Sequence, residues 1–156
     1  MPTSAVFTKL NLRDLTDIVV LNAPQSFEAE LKGLRGVTVR RVLTMRSTAK
    51  FVLAFVMQQK QVDALASVIA RAAPGDAVVW FAYPKGTSKR YTCEINRDSG
   101  WEALGDAGFE GVRMVAIDED WSAFRVRRTE FIKSMKRSAA GVMSKAGKAR
   151  LASGKT

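Results

Sequence analysis

Hydrophobic positions in this chain fall into short unbroken runs and one helically spaced stretch, a pattern that predicts an α/β domain. The clearest run is 77–83, Ala-Val-Val-Trp-Phe-Ala-Tyr, preceded by the turn residues Pro74, Gly75 and Asp76 and followed by Pro84. Apolar throughout, it fits a strand covered on both faces, as in a parallel sheet with helices above and below. Pro84 ends it, having no N–H for the ladder. Lys85 and Gly86 then sit at the carboxyl end, where open α/β sheets collect ligands.

The other runs fall into place around it. Residues 17–22 predict a first strand, ended by 23–26. Ser26 reads as the N-cap of a helix over 27–34, with Glu28 and Glu30 suited to its positive end. Residues 37–43 predict a second strand, whose basic residues mark a sheet edge. A linker over 44–50 leads to a third strand, 51–57. Between 58 and 73, Val62, Leu65, Ala66, Ile69 and Ala73 recur at helical spacing and predict an amphipathic helix on the sheet. The run at 77–83 is the fourth strand. Asp98, Ser99 and Gly100 open a helix over 101–107, which Gly108 ends. Strands five (111–117) and six (121–128) flank the acidic turn Asp118-Glu119-Asp120. So short a connection makes them an antiparallel hairpin.

With right-handed crossovers the helices divide between the two faces, giving a three-layer Rossmann-like domain on a mostly parallel sheet of about six strands. The succession resembles the later part of the class I methyltransferase fold, which ends in such a hairpin. That resemblance implies the strand order 2-1-3-4-6-5. Trp80-x-x-x-Pro84-Lys85 and Asp118-x-x-Trp121-Ser122-Ala123 also resemble a small bacterial family of unknown function, over roughly residues 10–128. The family implies a fold and no activity.

Composition narrows the chemistry. A chain of 156 residues suits one domain, here residues 1–130, followed by a tail over 131–156. No run approaches the ~20 apolar residues of a membrane span. The N-terminus lacks a basic segment followed by an apolar one, so no secretion signal is expected. Cys93 is the only cysteine, which rules out an internal disulfide and fits a reducing, cytoplasmic compartment. Histidine is absent altogether. That excludes a Ser-His-Asp triad, a Cys-His dyad and every histidine-ligated metal site, and leaves Asp, Glu, Lys or Tyr as general bases.

Methyltransferases of class I carry a glycine-rich turn after strand one and an acidic residue ending strand two. Here those places hold Asn22-Ala23-Pro24-Gln25-Ser26 and Leu43-Thr44-Met45-Arg46. Both departures weigh against adenosylmethionine, and the missing G-x-G-x-x-G weighs equally against a dinucleotide. No cofactor is expected, and the chain reads as a non-catalytic binding domain. The alternative is a cofactor-dependent enzyme in degenerate form.

Lys85, Thr87, Ser88, Lys89 and Arg90 put three cations and two hydroxyls after strand four. They suit the phosphate or carboxylate of a small anionic ligand, or an acidic partner. The same composition also makes a merely solvated loop. Asn22 and Tyr83 share that end of the sheet, Tyr83 either as a polar tip over the site or as a core residue with its hydroxyl in solvent. Trp80 and Trp121 read as core, and Trp101 either stacks on a ligand or is buried beneath its helix. The three adjacent carboxylates at 118–120 do not converge on one metal ion, so an acidic turn is the better account. Cys93, near Lys89 and Arg90, reads as an inert thiol.

Of the 25 basic and 15 acidic residues, seven basic and no acidic ones lie in 131–156. Lys133, Lys136, Arg137, Lys145 and Lys148 lie opposite an apolar helical face formed by Phe131, Met135, Ala139, Val142, Met143 and Ala146, and Arg150 extends the charge. Such a tail implies weak, sequence-independent nucleic-acid association at most, at ~10⁻⁴–10⁻⁶ M and steeply salt-dependent. Titration of DNA and RNA at two salt concentrations, with the full chain and with a chain ending at Arg128, is expected to show binding only for the full chain. Equal affinity and salt slope for both removes the tail from the reading.

Overall fold

The apolar runs pair into one six-stranded sheet. A computed structural model describes residues 5–44, 46–89, 91–93, 95 and 100–132. In chain order the elements are α1 (Ala5–Lys9), β1 (Asp17–Leu21), α2 (Glu28–Lys32), β2 (Thr38–Arg40), β3 (Phe51–Phe55), α3 (Gln59–Ala72), β4 (Val78–Pro84), α4 (Glu102–Asp106), β5 (Phe109–Ala116) and β6 (Trp121–Arg128). The sheet order is β2-β1-β3-β4-β6-β5, as the methyltransferase resemblance implied. β1 to β4 are parallel to one another, and β6 is antiparallel to both β4 and β5.

β4 sets the layering. Its residues from Val79 to Pro84 are all buried, so both faces of the sheet must be covered. Side chains alternate between faces. Val79, Phe81 and Tyr83 pack with Val62 and Ile69 of α3 and Leu104 of α4. Trp80 and Ala82 pack with Phe7 of α1 and Leu31 of α2. A buried indole N–H needs an acceptor, and Trp80 Nε1 donates to the Leu10 carbonyl at 2.7 Å. That bond fastens the end of α1 to the middle of the sheet. The chain then turns through Asn11 (φ 64°) and Arg13 (φ 54°), both in the left-handed region.

At the far edge, Gly111 pairs with Val126 and Arg113 with Arg125, leaving Val112 as the extra residue of a β-bulge. Gly111 is required there because a Cβ would enter the ring of Phe124. Arg128 closes α3. Its guanidinium donates to the carbonyls of Ala70 (2.8 Å), Ala73 (2.7 Å) and Gly75 (2.6 Å), satisfying groups that a helix C-terminus leaves open.

Three local expectations fail. α1 was not expected; with Phe7 as its one buried residue it has no apolar period to read. Ser26 is not an N-cap. It lies inside a 3-10 turn, Gln25–Phe27, and the N-cap of α2 is Phe27, with no side-chain cap bond. β2 is three residues long rather than seven, pairing with β1 only as far as Arg40.

Trp80→Phe keeps the aromatic body and removes the donor, orphaning the Leu10 carbonyl. The expected loss is about 1–3 kcal/mol in urea unfolding. An unchanged midpoint would show that the bond does not hold α1.

Candidate functional site

In an open α/β sheet, ligands gather at the carboxyl ends of the strands, where the strand order reverses. Here β1 lies between β2 and β3, so the reversal is at β1 and β3. Asn22, directly after β1, stands there with φ 58°. Asparagine is among the few residues that adopt this conformation at low cost, so it makes the bend for which glycine is the usual choice. Leu21 pairs with Ala54, and Ala54 with Phe81. Asn22 and Tyr83 are therefore near one level, two strand spacings or about 10 Å apart.

The loop after β4 is folded onto the last hairpin. Lys85 N–H donates to the Asp120 carbonyl at 2.7 Å, and Ser88 N–H to the Lys85 carbonyl at 3.0 Å. Ser88 Oγ donates to Asp120 Oδ1 at 2.9 Å and accepts from Tyr91 N–H at 3.2 Å. Asp118 Oδ1 in turn accepts from the N–H groups of Asp120 (2.8 Å) and Trp121 (2.9 Å). The acidic turn is thus the loop's anchor. Pro84 pairs with Trp121 in the ladder, so the Trp80–Lys85 and Asp118–Trp121 segments are neighbours in space.

The sequence-predicted residues divide accordingly. Lys85 is half-buried and Thr87 exposed, and neither side chain hydrogen-bonds to a described residue. Ser88 spends its hydroxyl on the anchor. Tyr83 is a core residue, with its hydroxyl donating to Met114 Sδ at 3.6 Å and its ring edge-on to Trp101. Trp101 is itself buried among Phe81, Tyr83 and Phe124, so it is not a stacking platform. Arg90, and Lys133, Lys136, Arg137, Lys145, Lys148 and Arg150 of the tail, lie outside the described residues.

Gln58 and Gln61 were missed, although the spacing Gln-x-x-Gln before an apolar period signals a capping box. Gln61 Oε1 accepts from the N–H groups of Met57 (2.7 Å) and Gln58 (3.0 Å). The Gln58 side chain accepts from the Gln61 N–H in return, so the two amides before α3 and one in its first turn, next to the strand-order reversal, are filled from within.

The end of strand two lies at Arg40, not at 43–46, and it is again cationic. Arg40 holds Asp17 through two bonds of 2.8 Å, and Arg41 holds Glu28 at 2.9 and 2.7 Å.

No protein-family model and no curated protein matches the chain. Among solved structures it is similar to a SAM dependent methyltransferase from Aquifex aeolicus, with 15% identity, a TM-score of 0.50, and 78% of this chain and 87% of that chain covered. A magnesium protoporphyrin IX methyltransferase from Synechocystis PCC 6803 aligns at TM-score 0.48 and 10% identity, over 80% of this chain and 74% of that one. At such identity the Aquifex likeness shows the fold alone: the domain is Rossmann-like and methyltransferase-like. No helix among the described residues is long and apolar enough to cross a membrane.

Three surface carboxylates are held below their ordinary range, each chiefly by a hydrogen bond from an arginine: Asp17 by Arg40, Glu28 by Arg41 and Asp76 by Arg127. A depressed folded-state pKa adds stability that is present above the unfolded value and lost as pH falls through the folded one. The loss is expected below about pH 4. Urea midpoints should fall from pH 5 toward pH 2, and Asp76→Asn should flatten the fall by under about 1 kcal/mol, because the Asp76 pair is partly solvated. A pH dependence that Asp76→Asn leaves unaltered assigns it to other groups.

Proposed function

We propose that the chain is a non-catalytic binding domain on a methyltransferase-like frame, taking a small anionic ligand or an acidic partner at the loop after β4. The observation that carries this reading is the pinning of that loop to Asp120. It fixes the backbone on either side of Thr87 at the carboxyl end of β4, so a ligand would have to order only the Lys85 and Thr87 side chains and not the loop itself. Lys85 supplies charge, Thr87 a hydroxyl, and Asn22 lies on the same rim; Arg90 follows in sequence.

Support for a non-catalytic role comes from the side chains that would do chemistry. The chain has no histidine. Ser88 faces Asp120, but an aspartate is too weak a base near neutrality to activate a serine hydroxyl. Tyr83 is enclosed in the core.

Thermal-shift titration of the full chain with nucleotides and dicarboxylates, beside Lys85→Ala, tests the reading. At least one of these anions is expected to raise the melting temperature saturably, with an affinity that Lys85→Ala weakens by roughly tenfold. No shift with any of them, or shifts that Lys85→Ala leaves intact, removes the loop. Saturable heat with adenosylmethionine would instead mark a degenerate cofactor-dependent enzyme, which the Asn22 bend favours and the cationic end of β2 opposes.

A further inference from the structure

At the opposite, amino end of β3 and β4, a cleft of about 570 Å³ opens between the segment over 11–15 and the sheet. Small-molecule sites range over roughly 300–1,000 Å³. Four cations, Arg13, Lys50, Arg125 and Arg127, line it with two carboxylates, Asp14 and Asp76. Leu12, Leu15 and Val78 supply apolar wall.

Arg125 is the anomaly. Trp121, Ala123, Arg125 and Arg127 share one face of β6 by strand alternation, and the first two belong to the core on that face. Arg125 stands directly opposite Trp80 on β4 and is half-buried. Its Nε is buried with no hydrogen-bond partner, and its guanidinium makes no hydrogen bond to any described residue. On its other side, across the bulge at Val112, it stands directly opposite Arg113. Like charges placed opposite each other across a sheet are destabilising, and a buried, unpartnered charged donor costs more.

Four other arginines among the described residues have strong acceptors. Arg40 and Arg41 have carboxylates, Arg128 has three carbonyls, and Arg127 holds Asp76 through bonds of 2.8 and 2.7 Å. Asp76, whose charge also acts on Arg125, thus accepts its hydrogen bonds from Arg127 instead. Burial, then the charge of Arg127, pushes the Arg125 pKa below the usual arginine range; the Asp76 carboxylate opposes that shift without cancelling it, and Arg113 and Arg13 add to it.

We propose that this cleft is an oxyanion site for the terminal phosphate of a small phosphomonoester, with Arg125 as its principal ligand and Arg13 and Lys50 beside it. Four cations against two carboxylates leave two positive charges on the lining. A phosphate monoester carries about −1.5 to −2 near pH 7, so it matches that surplus where a single carboxylate does not. A planar guanidinium suits two phosphate oxygens at once, and its delocalised charge lets an anion on the cleft side compensate the buried nitrogen too. The wall is preset. Asn11 and Arg13 are fixed in left-handed backbone, and Arg13 Nε donates to Asn11 Oδ1 at 2.7 Å.

The test is thermal shift and calorimetry on the full chain with inorganic phosphate, ribose 5-phosphate and acetate, in chloride buffers of matched ionic strength. Phosphate is expected to raise the melting temperature saturably, and acetate is not. Arg125→Met is expected to raise the melting temperature without phosphate, by removing a half-buried charge that Asp76 compensates only in part, and to weaken phosphate binding at least about tenfold. Arg13→Ala, at an exposed position, is expected to weaken it several-fold without loss of folding, which keeps the test open if Arg125→Met does not fold. Lys85→Ala is expected to leave the response intact. Tighter binding of ribose 5-phosphate than of inorganic phosphate supports a monoester, and the reverse supports free phosphate in the same site. A melting temperature indifferent to phosphate, an Arg125→Met chain or, where that does not fold, an Arg13→Ala chain responding like the parent, or a response abolished by Lys85→Ala overturns the proposal.

Discussion

The burial of β4 on both faces is the constraint from which the rest follows. A strand whose residues from Val79 to Pro84 are all buried has no solvent face. Two helical layers must exist, and each must be fastened to it. On one side α3 supplies a conventional amphipathic face. On the other, α1 has five residues and Phe7 as its buried side chain, too little to dock by area alone. The Trp80 indole supplies the missing specificity by donating to Leu10. The same bond places the segment after α1 over the amino ends of the strands, so the core contact also sets the wall of the cleft there.

The two ends of the sheet have been used differently. At the carboxyl end, where this architecture ordinarily holds ligands, the local donors are largely consumed internally. Gln61 takes the amides of Met57 and Gln58 just before α3, Ser88 and Asp120 satisfy each other, and Tyr83 is turned into the core. Lys85 and Thr87 are what remains. At the amino end the balance is reversed, with more cations than carboxylates can neutralise. A fold places ligands only as far as its side chains allow, and here they distribute free charge to both ends.

The central strand and the closing hairpin were legible in the sequence. β6 matches its expected span residue for residue, β4 is offset by one, and the strand order is the one the methyltransferase resemblance implied. What escaped was fixed by tertiary contact rather than by period. α1 depends on a partner 70 residues away. Ser26 has the composition of a cap, yet the chain winds into a 3-10 turn that moves the helix start past it. Ser88 has the composition of a ligand hydroxyl, and nothing local announces Asp120, 32 residues on. Arg125 was visible in principle: strand alternation from Trp121 through Ala123 puts a cation on the apolar face. Its neighbour Arg113 was not, because only the bulge at Val112 brings the two into register.

A half-buried guanidinium with no hydrogen-bonded carboxylate among the described residues makes the stability of this domain depend on what occupies the cleft. Arg125 carries a desolvation cost and the repulsion of Arg127 and Arg113, which the attraction of Asp76 offsets only in part. An anion bound only by the folded chain offsets both, and it stabilises the native state in proportion to the logarithm of its concentration over its Kd. A well-packed apolar residue at 125 would remove the cost and the dependence together. The arginine therefore makes sense on that face of β6 as a ligand-binding group, whereas the lysines and arginines of the open surface need no such explanation.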